Sequence, residues 1–326
     1  MITFIVTTYN LEDWLLRRCL DSIVAQGFPR DQYEIIVVDD ESTVLPQHVV
    51  NDYKQQAHIT LYVQQHARQG AARNLGIRHA QGEWIQFVDG DDYLFPGTMV
   101  PAVGMAQESN LDLLMFGYRE VHDTTLKESP YTSKATVLPI TTGEEYMLHH
   151  NLSGSCWMQF FRKTLLNHPQ YGEPLRFTEG VYIEDEDFTT KLVWRSQRMT
   201  RMSTPIYAYY QRVGSTVHSR SLEHTDELFH NSFGALSRLA HFEASLDTKP
   251  HAGVTRKVRF LALDILRRAL REHNGEERWH EAAQQLRTMG LYPIPAARYS
   301  WKYTLFRLLA SCSIGRYILK VVETNR

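Results

Sequence analysis

The chain has 326 residues, enough for about two domains. Its hydrophobic fraction of 43% and charged fraction of 22% are those of an ordinary globular protein, and a formal net charge of −2 gives no argument for a nucleic-acid partner, so none is expected. Cys19, Cys156 and Cys312 are odd in number, far apart and without a C-x-x-C pair, which disfavours a disulfide framework or a zinc site and fits a reducing cytoplasm.

Residues 2 to 8 (ITFIVTT) read as a buried strand, followed by Tyr9-Asn10 and a helix carried by Leu16, Leu20, Ile23 and Val24. Glu34 to Val38 is a second strand ending on Asp39-Asp40, Ile59 to Val63 a third, Ala71 to Ala80 a helix and Glu83 to Val88 a fourth strand. Strands alternating with helices predict parallel βαβ units, an α/β fold whose loops converge at one rim. Asn10, Asp39, Arg73 and Asp89 to Asp92 then share one crevice.

Beyond Pro101 the alternation weakens. Leu111 to Gly117 reads as a strand, residues 118 to 140 as a polar excursion and Thr142 to His149 as a helix. Trp157 to Phe161 and Ile206 to Tyr210 are aromatic, strand-like pieces around an acidic segment, 179 to 188. From Ser221 the pattern changes to long helices, 222 to 246 and 252 to 289. The expected division is therefore 1–105 and 106–220 as two halves of one α/β domain, and 221–326 as a helical region. No basic, apolar leader opens the sequence, and no charge-free run approaches the ~18 to 20 apolar residues that span a bilayer.

FVDGDDYLFP, residues 87 to 96, ends an apolar strand with Asp89, Asp91 and Asp92, at the position where open α/β sheets place ligands. Like charges this close repel unless they share a cation. Hard oxygen ligands suit Mg2+ or Mn2+ when a substrate's phosphates complete the shell, whereas a solvated acidic turn is the plain alternative.

The series TTYN (7 to 10), VVDDES (37 to 42), QGAARNLGIRHAQGEWIQFVDGDDYLFP (69 to 96) and YIEDEDF (182 to 188) resembles the bacterial family 2 glycosyltransferases of GT-A fold, over about residues 1 to 215. The resemblance implies an inverting transfer from a nucleotide-sugar donor, UDP-linked by expectation, to a glycan or lipid-linked acceptor in cell-surface polysaccharide assembly. It implies Asp91 as the metal ligand, Asp89 on the ribose or a metal-bound water, and Asp39 as the carboxylate that reads uracil, a turn cap being the alternative. Thr8 and Asn10 would hold base and ribose, with Thr8 in place of the commoner proline and Glu41 in place of a glycine. Arg73 would meet the diphosphate or brace the acidic loop, a surface ion pair being the alternative. Glu184-Asp185 aligns with the family's E-D pair. Asp185 would be the general base that activates an acceptor hydroxyl, with Glu184 beside the acceptor and Asp187 as fallback, while a helix N-terminal acidic cluster would explain the same residues structurally. Arg212, with Ser215 and His218, lies in a segment similar to the family's flexible donor loop, and Trp157 matches an acceptor-side aromatic or else packs in the core.

Two rivals stand beside this reading. A nucleotidyltransferase would need a basic, glycine-rich triphosphate loop that TTYNLED does not offer, and a non-catalytic adaptor would keep the fold for binding alone. The tail, 298–326, has two short amphipathic helical patterns and six basic residues against one acidic. It is expected to meet an anionic membrane surface, its own domain or another subunit, the last making a homo-oligomer.

Overall fold

The computed structural model describes residues 1–122, 135–211, 222–246, 251–272 and 274–324. The strands are β1 (Ile2–Thr8), β2 (Tyr33–Asp39), β3 (His58–Val63), β4 (Trp84–Asp89), β5 (Tyr93–Leu94), β6 (Leu113–Val121), β7 (Gln159–Arg162) and β8 (Met199–Tyr210). The helices of the same region are α1 (Asp13–Val24), α2 (Gln47–Tyr53), α3 (Arg68–His79), α4 (Met99–Glu108), α5 (Gly143–His149), α6 (Thr164–Asn167) and α7 (Glu184–Arg195). After them come α8 (Leu222–Ala244), α9 (Ala252–Arg271), α10 (Gly275–Thr288), α11 (Trp301–Ala310) and α12 (Ser313–Thr324).

All eight strands join one sheet in the order β3-β2-β1-β4-β7-β6-β8-β5. The first four are parallel, with Thr8 level with Asp39 and Thr7 level with Asp89. Strands buried on both faces need no alternation, and every residue of β1 is buried, as its unbroken apolar and threonine run requires. The chain runs outward from β1 to β3 and then returns to β4 on the other side of β1, so the order reverses between β1 and β4. Ligands bind at such a reversal, outside the carboxyl ends of the strands. The remaining strands form a mixed extension in which β7 is antiparallel to β4 and β6, while β6 and β8 are parallel.

The chain divides into two compact units, Met1–Gly143 with Ser153–Arg220, and Glu144–Leu152 with Ser221–Arg326. Residues 144–152, expected with the second half of the α/β domain, therefore belong to the helical unit. Arg256 holds them there by donating to the carbonyls of Met147 and His150, at 2.9 and 2.5 Å. The residues on either side of position 105 lie in one compact unit, and their strands pair in one sheet. β6 extends through Val121 into the stretch read as a polar excursion. The single helix expected over 252–289 is two helices, and the Asn274-Gly275 pair at the break is a turn signal that the apolar periodicity masked. Among the described residues no helix is long and apolar enough to cross a membrane.

Candidate active site

The loops after β1 and β2 are tied to each other. Asn10 takes a left-handed φ of 45°, donates its N–H to the Ser42 hydroxyl at 2.7 Å, and accepts the Thr43 N–H on its side-chain oxygen at 2.8 Å. Ser42 in turn donates its N–H and hydroxyl to the two Asp39 oxygens, at 2.8 and 2.6 Å. Asp39 is fully buried, and as placed its carboxylate caps this turn, the structural alternative to its reading of a base. Thr8 is also buried and supports the rim through its carbonyl, which accepts the Asp40 N–H at 3.0 Å, leaving Asn10 as the exposed member of the expected set. Glu41 keeps the backbone that glycine would supply, with φ 68°, and its carboxylate accepts the His66 N–H at 3.0 Å, a local compensation for that strain.

At the end of β4 the acidic loop folds back on β1. Gly90 is required there, because a Cβ would lie 2.8 Å from the Thr7 carbonyl oxygen, to which Gly90 donates at 2.9 Å. The three carboxylates separate in role. Asp92 is buried and accepts the Tyr207 hydroxyl and the Tyr210 N–H, both at 2.7 Å, and the Tyr207 oxygen accepts the Asp89 N–H at 3.1 Å. Burial, with Asp91 and Asp89 alongside, pushes the Asp92 carboxyl well above the usual carboxylate range, so it suits a structural hydrogen bond better than a cation. Asp91 is only partly buried, and its backbone carbonyl accepts from Arg18 at 2.7 Å. The Arg18 guanidinium itself sits 4.1 Å from the Tyr210 ring centroid and 5.0 Å from that of Tyr93. Asp89 receives Arg73 at 2.8 Å.

Arg73 joins this loop to the second acidic segment. It is buried, and its two terminal nitrogens reach Asp89 at 2.8 Å and Glu184 at 2.6 Å. Burial alone would lower its pKa, but Cys156, Asp89, Glu184 and Asp185 beside it outweigh this and push it well above the usual guanidinium value. It is therefore neither a surface ion pair nor available to a diphosphate as placed; it braces the acidic loops. Glu184 is correspondingly committed to Arg73 rather than open to an acceptor. The rest of QGAARN serves the same junction. Asn74 donates to the Phe177 carbonyl and accepts the Phe177 N–H, both at 2.9 Å, and a Cβ on Gly70 would lie 2.6 Å from the Thr178 carbonyl.

Ile183, with φ 61°, is a strained entry into α7 for a β-branched residue, and it is followed by four acidic side chains in the first turn. Asp187 is buried against Lys191 at 3.2 Å, a helix-face pair that leaves it poorly placed as a base. Asp185 retains partial exposure, yet loss of hydration, then Glu184 and Glu186, push its carboxyl up to about 8. Carboxyls raised toward neutrality occur at acid–base sites and also in structural clusters of like charge.

Trp157 packs in the core, 9% exposed, stacked on Tyr207 with centroids 4.3 Å apart, as the core alternative to an acceptor-side place expects. Arg212, Ser215 and His218 lie outside the described residues. Arg18, Tyr207 and Tyr210 went unrecognised in the sequence. The strand at 206–210 was legible, but nothing local ties it to a loop more than a hundred residues earlier.

Among the described residues no three His, Cys, Asp or Glu side chains gather as a metal cage. The rim does offer hard oxygen donors, Asp91 beside Asp89, and small divalent cations take one or two carboxylates and fill the shell with phosphates and water. The donor chemistry fits a cation held jointly with a substrate.

The sequence model of Glycosyl transferase family 2 matches residues 3–168, half of the chain, and the chain belongs to that family. It is 29% identical over 209 residues to the poly(ribitol-phosphate) β-N-acetylglucosaminyltransferase TarS of Staphylococcus aureus, covering 63% of this chain and 34% of that one. The chain spans about a third of the length of the first curated relatives it matches. The crystal structure of S. aureus TarS 1–349 in complex with UDP-GlcNAc is similar with a TM-score of 0.68 at 20% identity, over 99% of this chain and 89% of that one. A mannosyltransferase of Pyrobaculum calidifontis in complex with GDP-Man and Mn2+ gives 0.51 at 18% identity, over 99% and 86%. The fold is accordingly GT-A, with helices following it at the carboxyl end.

Arg73→Met leaves two carboxylates at a buried junction without their cation, and we expect it to cost about 3–5 kcal/mol in urea unfolding. A loss below about 1 kcal/mol, the level of an exposed pair, would refute the buried bridge.

Proposed function

We propose that the protein is an inverting glycosyltransferase, taking a sugar from a nucleotide donor, UDP-linked by preference, to a hydroxyl of a glycan or lipid-linked acceptor in cell-surface polysaccharide assembly. The observation that carries this reading is the Arg73 bridge, since it sets a carboxylate loop at the sheet's reversal point beside a second acidic turn containing one carboxyl tuned near neutrality. The family, and the UDP-GlcNAc bound by a protein of like fold, support the donor class. The three unpaired thiols suit a reducing cytoplasm as the place of work.

Asp91 would hold Mg2+ or Mn2+, and such an ion stabilises the negative charge of a departing diphosphate without proton transfer. The chain's own residues do the rest. Asn10 lies exposed on the rim where the nucleoside would rest, on a turn shaped by Asp39 and Ser42. Asp89, held by Arg73, faces the ribose. Asp185 takes the proton of the acceptor hydroxyl as its oxygen bonds to the anomeric carbon, and the bond from that carbon to the diphosphate oxygen breaks on the opposite face, inverting the centre. An adaptor or a nucleotidyltransferase would not need a near-neutral carboxyl at Asp185.

Asp91→Ala is expected to abolish transfer and remove the manganese dependence of UDP binding in isothermal titration; transfer at the wild-type rate would overturn the metal assignment. The base acts as a carboxylate, and a carboxyl pushed up to about 8 is only about one-tenth ionised at pH 7. The log of kcat/KM should therefore climb with pH up to about 8 and level off above it, with Asp185→Asn losing at least about a hundredfold. A flat profile from pH 6 to 9 in the wild type, or activity retained in Asp185→Asn, would move the base elsewhere.

A further inference from the structure

The last two helices are amphipathic in the wrong sense for packing on their own domain. On α12 the inward face holds Leu319 and the buried carboxylate Glu323, which Arg267 grips through Nε at 2.8 Å and Arg271 through Nε at 3.1 Å. The outward face is hydrocarbon, with Ile314 77%, Tyr317 67% and Val322 47% exposed, and Ile318 and Val321 little less. α11 repeats the arrangement: Tyr303 and Phe306 are buried, while Trp301 is 71%, Leu308 54% and Leu305 46% exposed. An apolar helical stripe normally faces protein, and single exposed apolar residues are commonplace, but eight on two consecutive helices call for a partner.

The charge around these stripes selects that partner. Arg298 and Lys302 are exposed, Arg307, Arg316 and Lys320 half-buried, and Lys302 lies 5.8 Å from the Trp301 ring centroid. The one acidic residue between Arg298 and Thr324 is Glu323, already neutralised by the two α9 arginines. A second copy of the chain would set these cations against themselves, whereas an anionic surface meets them favourably.

We propose that α11 and α12 dock on an anionic membrane surface. The helices lie in the interface with Ile314, Val321 and Leu305 among the acyl chains, Trp301 and Tyr317 at headgroup level, and the basic side chains on lipid phosphates. At 10 and 12 residues they lie on the bilayer rather than cross it, since a span needs about 20. This contact does not depend on the transfer reading, because none of its residues belongs to the crevice.

Flotation of the full chain with vesicles tests it, using phosphatidylcholine alone and phosphatidylcholine mixed with an equal part of phosphatidylglycerol. The wild type should float with the mixed vesicles, far less with neutral ones, and release as salt is raised. The exposed-face variant Leu305→Ser/Ile314→Ser/Tyr317→Ser should lose at least about tenfold in binding with an unchanged thermal midpoint. Arg298→Glu/Lys302→Glu, which leaves every apolar side chain of the stripe in place, should lose at least about tenfold on the anionic vesicles. Wild-type protein that floats with neither vesicle, or either variant floating as well as wild type, would overturn the proposal. So would failure to float together with a concentration-dependent dimer that the serine variant dissolves, which would assign the face to a second copy.

Discussion

One buried guanidinium organises the α/β unit. Arg73 is the cation between Asp89, at the end of β4, and Glu184, at the start of α7, residues that the chain brings together from 16 and 111 positions away. Without it the two acidic segments would repel across a crevice with little water to screen them. With it, the loop that ends β4 and the turn that opens α7 share a fixed anchor, and the neighbouring carboxyls settle into different protonation environments. Gly70 and Asn74, on the same helix, hold the approach to α7 from beside it, which gives the whole QGAARN run a structural meaning.

Around that anchor the rim is shaped by commitment and strain. Asp39, Asp40 and Asp92 are all buried, and all have their carboxylates engaged: Asp39 by Ser42, Asp40 by the Ala67 and Arg68 N–H groups, and Asp92 by Tyr207 and Tyr210. Left-handed backbone at Asn10, Glu41 and Ile183 marks where the chain departs from its preferred conformations to aim these loops. Asp89, Asp91 and Asp185 stay partly exposed, which is where a cation and a proton acceptor are useful. Most of the acidic residues thus build the site, and a minority remain to act in it.

What the sequence made legible follows from the range of the interactions. β1, β2 and β4 were readable because parallel strands buried on both faces are continuous apolar runs, and their aspartate endings fixed the rim. Asp39 as a turn cap was readable too, since its partner Ser42 is three residues on. Arg73, Glu184 and Trp157 were not assignable in the same way. Each has a local pattern consistent with several roles, and the partner that decides among them is 50 to 111 residues distant. The interruption between α9 and α10 was missed for the opposite reason, a local turn signal outvoted by a long apolar period.

The central claim is that Asp89 and Glu184 are coupled through one shared cation. Urea unfolding of Asp89→Asn, Glu184→Gln and the double variant measures this directly. Either single change leaves Arg73 one carboxylate, while both together strand a buried charge. The account predicts a double variant less stable than the sum of the singles by about 0.5–3 kcal/mol, and additivity within about 0.5 kcal/mol would contradict it.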